Sequence, residues 1–277
     1  MLSFTPVHSS SADGNSFACY DLSSDDELIS EVAEIVRDLY VEDAFLGSLL
    51  RDAAKNLETV CDDDAIQQVI DNVASAVIPQ IDESSKKPLH LQVPRNEVAE
   101  VLALYVLEHI HGFSVPSSRV RNKEVSGQPS RGIDVLGLTP GVALAITEVK
   151  ASSASDSPPS VVHSAPDSMY KETLKRLNDP QSLIAEIHWA LKHAKAEAQA
   201  SVAQALILYA RPNAPTPTVA PVLVRAAGTY RVSDYGNFEV SPEVFGESPV
   251  HFVIVQLPET LESFAKAVYA KASEKAA

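Results

Sequence analysis

GIDVLGLTPGVALAITEVK, residues 132–150, decides how the rest of the chain is read. Two runs rich in valine, isoleucine and leucine, 132–138 and 142–150, flank Thr139, Pro140 and Gly141, residue types that build a tight turn. The stretch predicts two antiparallel strands. Opposed residue numbers then add to about 280, so Asp134 faces the region from Ala145 to Glu148. Glu148 and Lys150 are two apart, and the period of two along a strand puts both on one face. Asp134, Glu148 and Lys150 therefore converge.

Two carboxylates and a backbone carbonyl, here that of Val149, are the hard oxygen donors that magnesium, or manganese in its place, prefers. A lysine beside them can orient or help deprotonate an attacking water and offset charge building on a phosphate, while the metal polarises the scissile bond. The pattern predicts metal-dependent phosphodiester hydrolysis. An ExK tripeptide alone carries little weight, because exposed strands often pair an acid with a base. Its order here is more specific: an acid in a glycine-flanked strand, a turn, then a strand ending in ExK.

Working outward, RNEVAEVLALYVLEHIH at 95–111 has a helical apolar face and is ended by Gly112; a first strand is predicted at 118–125. The serine- and proline-rich segment 151–168 reads as a mobile loop, 180–200 as a long helix and QALILYAR at 204–211 as a buried strand. A proline-rich connector at 212–221, strands at 222–226 and 251–257 and an amphipathic helix at 259–275 follow. Upstream, an irregular start leads into helical spacing between residues 21 and 80, with Ser24, Asp25 and Asp26 capping the first helix and Asp62 to Asp64 the last. DESSKKP at 82–88 marks the boundary between an N-terminal helical region, 1–84, and an α/β domain, 85–277. No internal repeat is present.

Residues 95–211 resemble the PD-(D/E)XK phosphodiesterase superfamily, whose restriction-endonuclease-like core runs helix, three strands, helix, strand. Its motif is an acid on the second strand, here Asp134, and (D/E)xK on the third, here Glu148-Val149-Lys150. The resemblance implies a further acid on the first core helix: Glu97, a third metal ligand, with Glu100 as the fallback. Gly132-Ile133-Asp134 stands where the superfamily has proline-aspartate. The helical N-terminal region, the RxE helix start, the GxD strand and the ExK strand also resemble the HamA nuclease family of bacterial Hachiman antiphage systems. That resemblance implies a DNase effector held by a partner helicase or translocase.

Charge bears on the same point. With 37 acidic against 22 basic residues the chain carries a formal charge of −15, which is ill suited to gripping DNA unaided. Either a local basic track or a DNA-holding partner must supply the affinity. Arg95 can bind a phosphate, pair with a site carboxylate, or be a plain surface arginine; Lys171, Lys175 and Arg176 form a small cluster that reads first as a solvated helix face and second as able to touch DNA phosphates. His109 with His111, and His188 with His193, are not spaced to share a metal, and Trp189 reads as core. Cys19 and Cys61 read as free thiols, and the absence of a basic and apolar leader predicts a cytoplasmic protein. The same residues leave open a standalone restriction-type enzyme, an RNase, and a noncatalytic scaffold that keeps the fold.

Overall fold

The computed structural model describes residues 2–23, 27–55, 62–79, 89–118, 133–140 and 143–274, with backbone alone at 89–94 and 118. The predicted caps Ser24 to Asp26, the boundary at 82–88, Cys61, Gly132, and Gly141 with Val142 of the turn lie outside them.

The irregular start is instead a hairpin. β1 (Phe4–Ala12) and β2 (Asn15–Leu22) pair antiparallel from Ala12↔Asn15 outward. Asp13 and Gly14, at φ 51° and 81°, make the turn. Positive φ at both central residues is what a right-twisted hairpin demands, and an aspartate-glycine pair supplies it. Three helices follow: α1 (Leu28–Val41), α2 (Asp43–Ala54) and α3 (Asp63–Val77). As predicted for the acidic run, the Asp62 side chain caps α3 by accepting from the Ala65 amide at 2.9 Å.

The long α4 (Leu89–His109) is followed by β3 (Ser114–Ser118), β4 (Val135–Leu138) and β5 (Leu144–Thr147). β3 begins four residues earlier than the strand predicted at 118–125, of which residues 119–125 lie outside the described residues. Pro116 falls where the β3–β4 register shifts, between Ser114 and Ser117, on an edge strand, a place where a sheet tolerates proline. β4 and β5 pair as predicted in kind, with a register sum of 282 (Val135↔Thr147).

The strand predicted at 142–150 breaks in two. β5 ends at Thr147, and β6 (Val149–Ser152) belongs to a different sheet. Next come α5 (Ser160–His163), α6 (Met169–Leu177), α7 (Pro180–His193) and α8 (Ala196–Tyr209). The segment read as a loop thus contains α5, whose Val162 is fully buried. The helix read as continuous breaks at Ala194 and Lys195. QALILYAR is the end of α8, not a strand: Val202, Ala205 and Tyr209 are buried, while Ile207 and Leu208 are exposed. That i, i+3, i+7 burial is helical; a short apolar run does not by itself separate the two.

β7 (Thr218–Val219), β8 (Val222–Arg225), α9 (Asn237–Val240) between two 3-10 turns, β9 (His251–Gln256) and α10 (Leu261–Ala272) complete the chain. The sheets have strand orders β1-β2-β9-β8-β6 and β3-β4-β5-β7. In the first, Val222, Val224, Val253 and Val255 pack toward α1, α4 and α10, while Leu223, Phe252 and Ile254 pack on the other side with Val162, Met169 and Phe238. In the second, Val135 and Ala145 face α4, and Leu136, Leu144 and Ile146 face α7 and α8. One core runs from Leu2 to Ala272, so residues on both sides of 82–88 share it. No helix among the described residues is long and apolar enough to cross a membrane.

Candidate active site at the crossing of two sheets

Two parallel strand pairs change sheets together. β5 pairs with β7 and β6 with β8, so Glu148 and the residues around Pro221 form adjacent bends. Glu148 holds this crossing through its carbonyl, which accepts from the Val222 amide at 3.1 Å. Successive residues of a strand turn their main-chain groups to opposite edges, so Val149 presents its N–H and C=O to the other side. There its amide donates to Asp134 Oδ2 at 2.9 Å.

Side chains alternate likewise. Val149 is buried in the core beneath α4, so Glu148 and Lys150 project to the opposite face, where α5 and α6 lie. Lys150 Nζ stands 2.8 Å from Glu148 Oε1, with side-chain exposures of 21% and 9%. Asp134, one residue ahead of β4, is half-buried beside them. The structure therefore brings Asp134, Glu148 and Lys150 together.

Their electrostatics follow from this crowding. Burial raises the Asp134 carboxyl above its ordinary range, against the Val149 amide and the Lys150 and Arg176 charges, with Glu172 adding to the rise. Glu148 is pushed up to about 7, by burial first and then by Asp134, in spite of Lys150. Burial opposes the Lys150 charge, but Glu148, Asp134 and Asp167 outweigh it and hold the ammonium above its usual pKa. The acids that act here, Asp134, Glu148, Asp167 and Glu172, outnumber the cations, Lys150 and Arg176.

Asp167, Glu172 and Arg176 were not read from the sequence as part of this group, although Arg176 was counted in a basic cluster. Glu172 and Arg176 lie four apart on α6, one face of a helix, and that spacing was the available signal. The other basic candidates are engaged by groups other than Asp134 and Glu148. Lys171 Nζ donates to the carbonyls of Ser164 and Ala165 at 3.0 and 2.8 Å, closing the end of α5. Lys175 pairs with Glu172 at 3.3 Å, and Arg95 pairs with Glu262 of α10 at 2.6 Å.

Glu97 is drawn elsewhere too. It is 2% exposed on α4, and its Oε2 accepts from the hydroxyls of Tyr40 on α1 and Tyr269 on α10. Burial, then the Glu97 charge, raises both phenols above their ordinary pKa. His109 lies against Tyr105, His111 against Tyr20 and His193 against the partly buried Trp189; His188 is exposed.

Among the described residues no group of three or more histidine, cysteine or acidic side chains is arranged to hold a metal ion. A cation at this site would therefore rest on two carboxylates and main chain. One oxygen of Asp134 and one of Glu148 are engaged by the Val149 amide and by Lys150, leaving one of each for a ligand, with the Val149 carbonyl on the same edge. These hard oxygens fit magnesium, which keeps several waters of its own.

Fold and site together define a mixed α/β protein with two acids and a lysine where its sheets cross. The HamA family model matches residues 2–272, and the chain belongs to the HamA family, an antiphage defence module. No curated protein and no solved structure matches it.

Proposed function

We propose that this chain is a magnesium-dependent nuclease of the PD-(D/E)XK kind that hydrolyses DNA phosphodiester bonds as the effector of an antiphage complex, under a partner helicase or translocase. The observation that carries the reading is the Glu148–Lys150 pair at 2.8 Å with Asp134 hydrogen-bonded to the strand between them. Asp134, Glu148 and the Val149 carbonyl would hold the metal, which when bound polarises the phosphodiester and acidifies an attacking water. Lys150 places its ammonium where it can orient that water and offset charge on the phosphate oxygens. The Val149 amide fixes one oxygen of Asp134 and so restrains that carboxylate beside the Glu148–Lys150 strand. The charge of −15 supports a partner that grips the nucleic acid.

The test is cleavage of linear DNA, with RNA alongside, by the complex of this chain and its partner in magnesium. Glu148→Ala and Lys150→Ala should each lower the rate on the order of 10²–10⁴-fold. Undiminished cutting by both variants sinks the site, and free cutting by the isolated chain without partner or ATP sinks the regulated reading.

A further inference from the structure

A cavity of about 600 Å³ opens beside β3, between the ends of α1 and α4 and the α7–α8 junction. β3 is the edge strand of its sheet, one strand over from β4. Four carboxylates line the cavity: Asp38 and Glu42 at the end of α1, Glu108 on α4 and Glu197 on α8. Lys195 is the one lysine or arginine among its described lining residues, and His193, stacked on Trp189, also lines it. A concave recess walled by protein focuses such an excess of one sign.

Surplus acid alone is ordinary in a chain of charge −15. A second observation points to a ligand. Ser117 is 2% exposed, and its Oγ has no hydrogen-bond partner. Ser117 lies opposite Leu136 in the β3–β4 ladder, and directly opposed residues share a face of a sheet. Leu136 packs toward α7 and α8, so the Ser117 hydroxyl is directed to the side on which the α7–α8 junction walls the cavity. A buried hydroxyl without a partner is disfavoured and calls for one.

The chemistry of that partner is constrained. Carboxylates accept only, and the Ser117 oxygen has lone pairs to spare, so the complement is a group made of donors. Ammonium and guanidinium groups are such groups. A compact metal ion fits less well, since no set of three acidic, histidine or cysteine side chains among the described residues is arranged to hold one. We propose that this cavity binds an organic cation, an alkylammonium or guanidinium group, whose N–H donors reach Ser117 Oγ and the carboxylates of Asp38, Glu42 and Glu197. The cation is either a free polyamine or the lysine or arginine side chain of another protein. None of the cavity residues belongs to the Asp134–Glu148–Lys150 group, so the proposal stands independently of the nuclease reading.

Calorimetric titration of the full chain at low ionic strength, with spermidine in one arm and a peptide carrying two arginines in the other, tests it. Saturable one-to-one binding is the expected result, at least tenfold weaker in Glu42→Gln/Glu197→Gln and a few-fold weaker in Ser117→Ala. It should be unchanged in Glu243→Gln/Glu247→Gln, which removes two exposed acids outside the cavity. Tighter binding of spermidine assigns the site to a free polyamine; tighter binding of the peptide assigns it to a protein side chain. Amide shift changes in the unmodified protein should concentrate at 38–42, 114–117 and 193–198. No saturable binding of either probe, or equal weakening in the control pair, overturns the proposal, because the attraction would then be that of net charge alone.

Discussion

Two buried acid–base groups stand side by side on the paired strands β6 and β8, and they are built on opposite principles. Arg225 lies opposite Ser152, two residues beyond Lys150. Its Nε is 3.0 Å from Asp234 Oδ2, with both side chains fully buried, and its remaining nitrogens donate to the carbonyls of Thr229, Asp156 and Ser152. One acid meets one base, and the planar guanidinium distributes its donors over fixed acceptors. At the crossing, by contrast, two acids meet one lysine, the carboxyls are driven upward in pKa, and an edge stays open. Balance without exposure marks a brace; surplus charge with exposure marks a place where something else is to bind.

The comparison breaks most readily at the brace. Asp234→Ala should cost about 3–5 kcal/mol, since it strands a buried guanidinium, and the double change Arg225→Met/Asp234→Leu should recover most of it. A single variant whose denaturation midpoint matches the parent would mean the pair is not bracing anything. Glu97 offers an intermediate case, an acid satisfied by two phenols. Glu97→Ala leaves the Tyr40 and Tyr269 hydroxyls without their acceptor and should cost about 2 kcal/mol, whereas Glu97→Gln, which keeps an acceptor oxygen, should cost less.

At the crossing the sign reverses. Because the folded-state pKa of Glu148 is raised, the native protein holds that proton more tightly than the unfolded chain. Its contribution favours folding at low pH and is lost as pH climbs from the ordinary value of 4.5 through about 7. Glu148→Gln should therefore flatten this part of the pH–stability curve and raise stability at pH 8 by on the order of 1 kcal/mol. A variant less stable than the parent at pH 8 would refute the surplus-charge description. The smallest effect belongs to the surface: removing the exposed Lys175–Glu172 contact by Lys175→Ala should shift stability by less than about 0.5 kcal/mol.

What was legible in the sequence was whatever local spacing determines. The Asp134, Glu148 and Lys150 convergence followed from a turn and a period of two, and the Asp62 cap from one residue's chemistry. Elements whose identity depends on distant partners were misread. QALILYAR needed the α7 face and the sheet beside it to reveal which of its apolar residues are covered. The β5–β6 break at Glu148 needed β7 and β8, because nothing in ITEVK says that the chain leaves one sheet for another. Glu97 was assigned by analogy of position, while its tyrosine partners come from residues 40 and 269, far outside any local window. The hairpin at the start is a different case, since Asp13-Gly14 is a local turn signal that was present and passed over.

β9 has a further consequence, one of timing. It is the middle strand of the five-stranded sheet, flanked by β2 and β8, and its pairing with β2 joins residues 16–21 to residues 251–256. A growing chain makes β2 long before β9, so the hairpin must wait until residues 251–256 have been made for the strand it leans on. The sheet that carries Lys150 thus completes only once residues 251–256 have been made, and a chain stopped short of residue 251 lacks its middle.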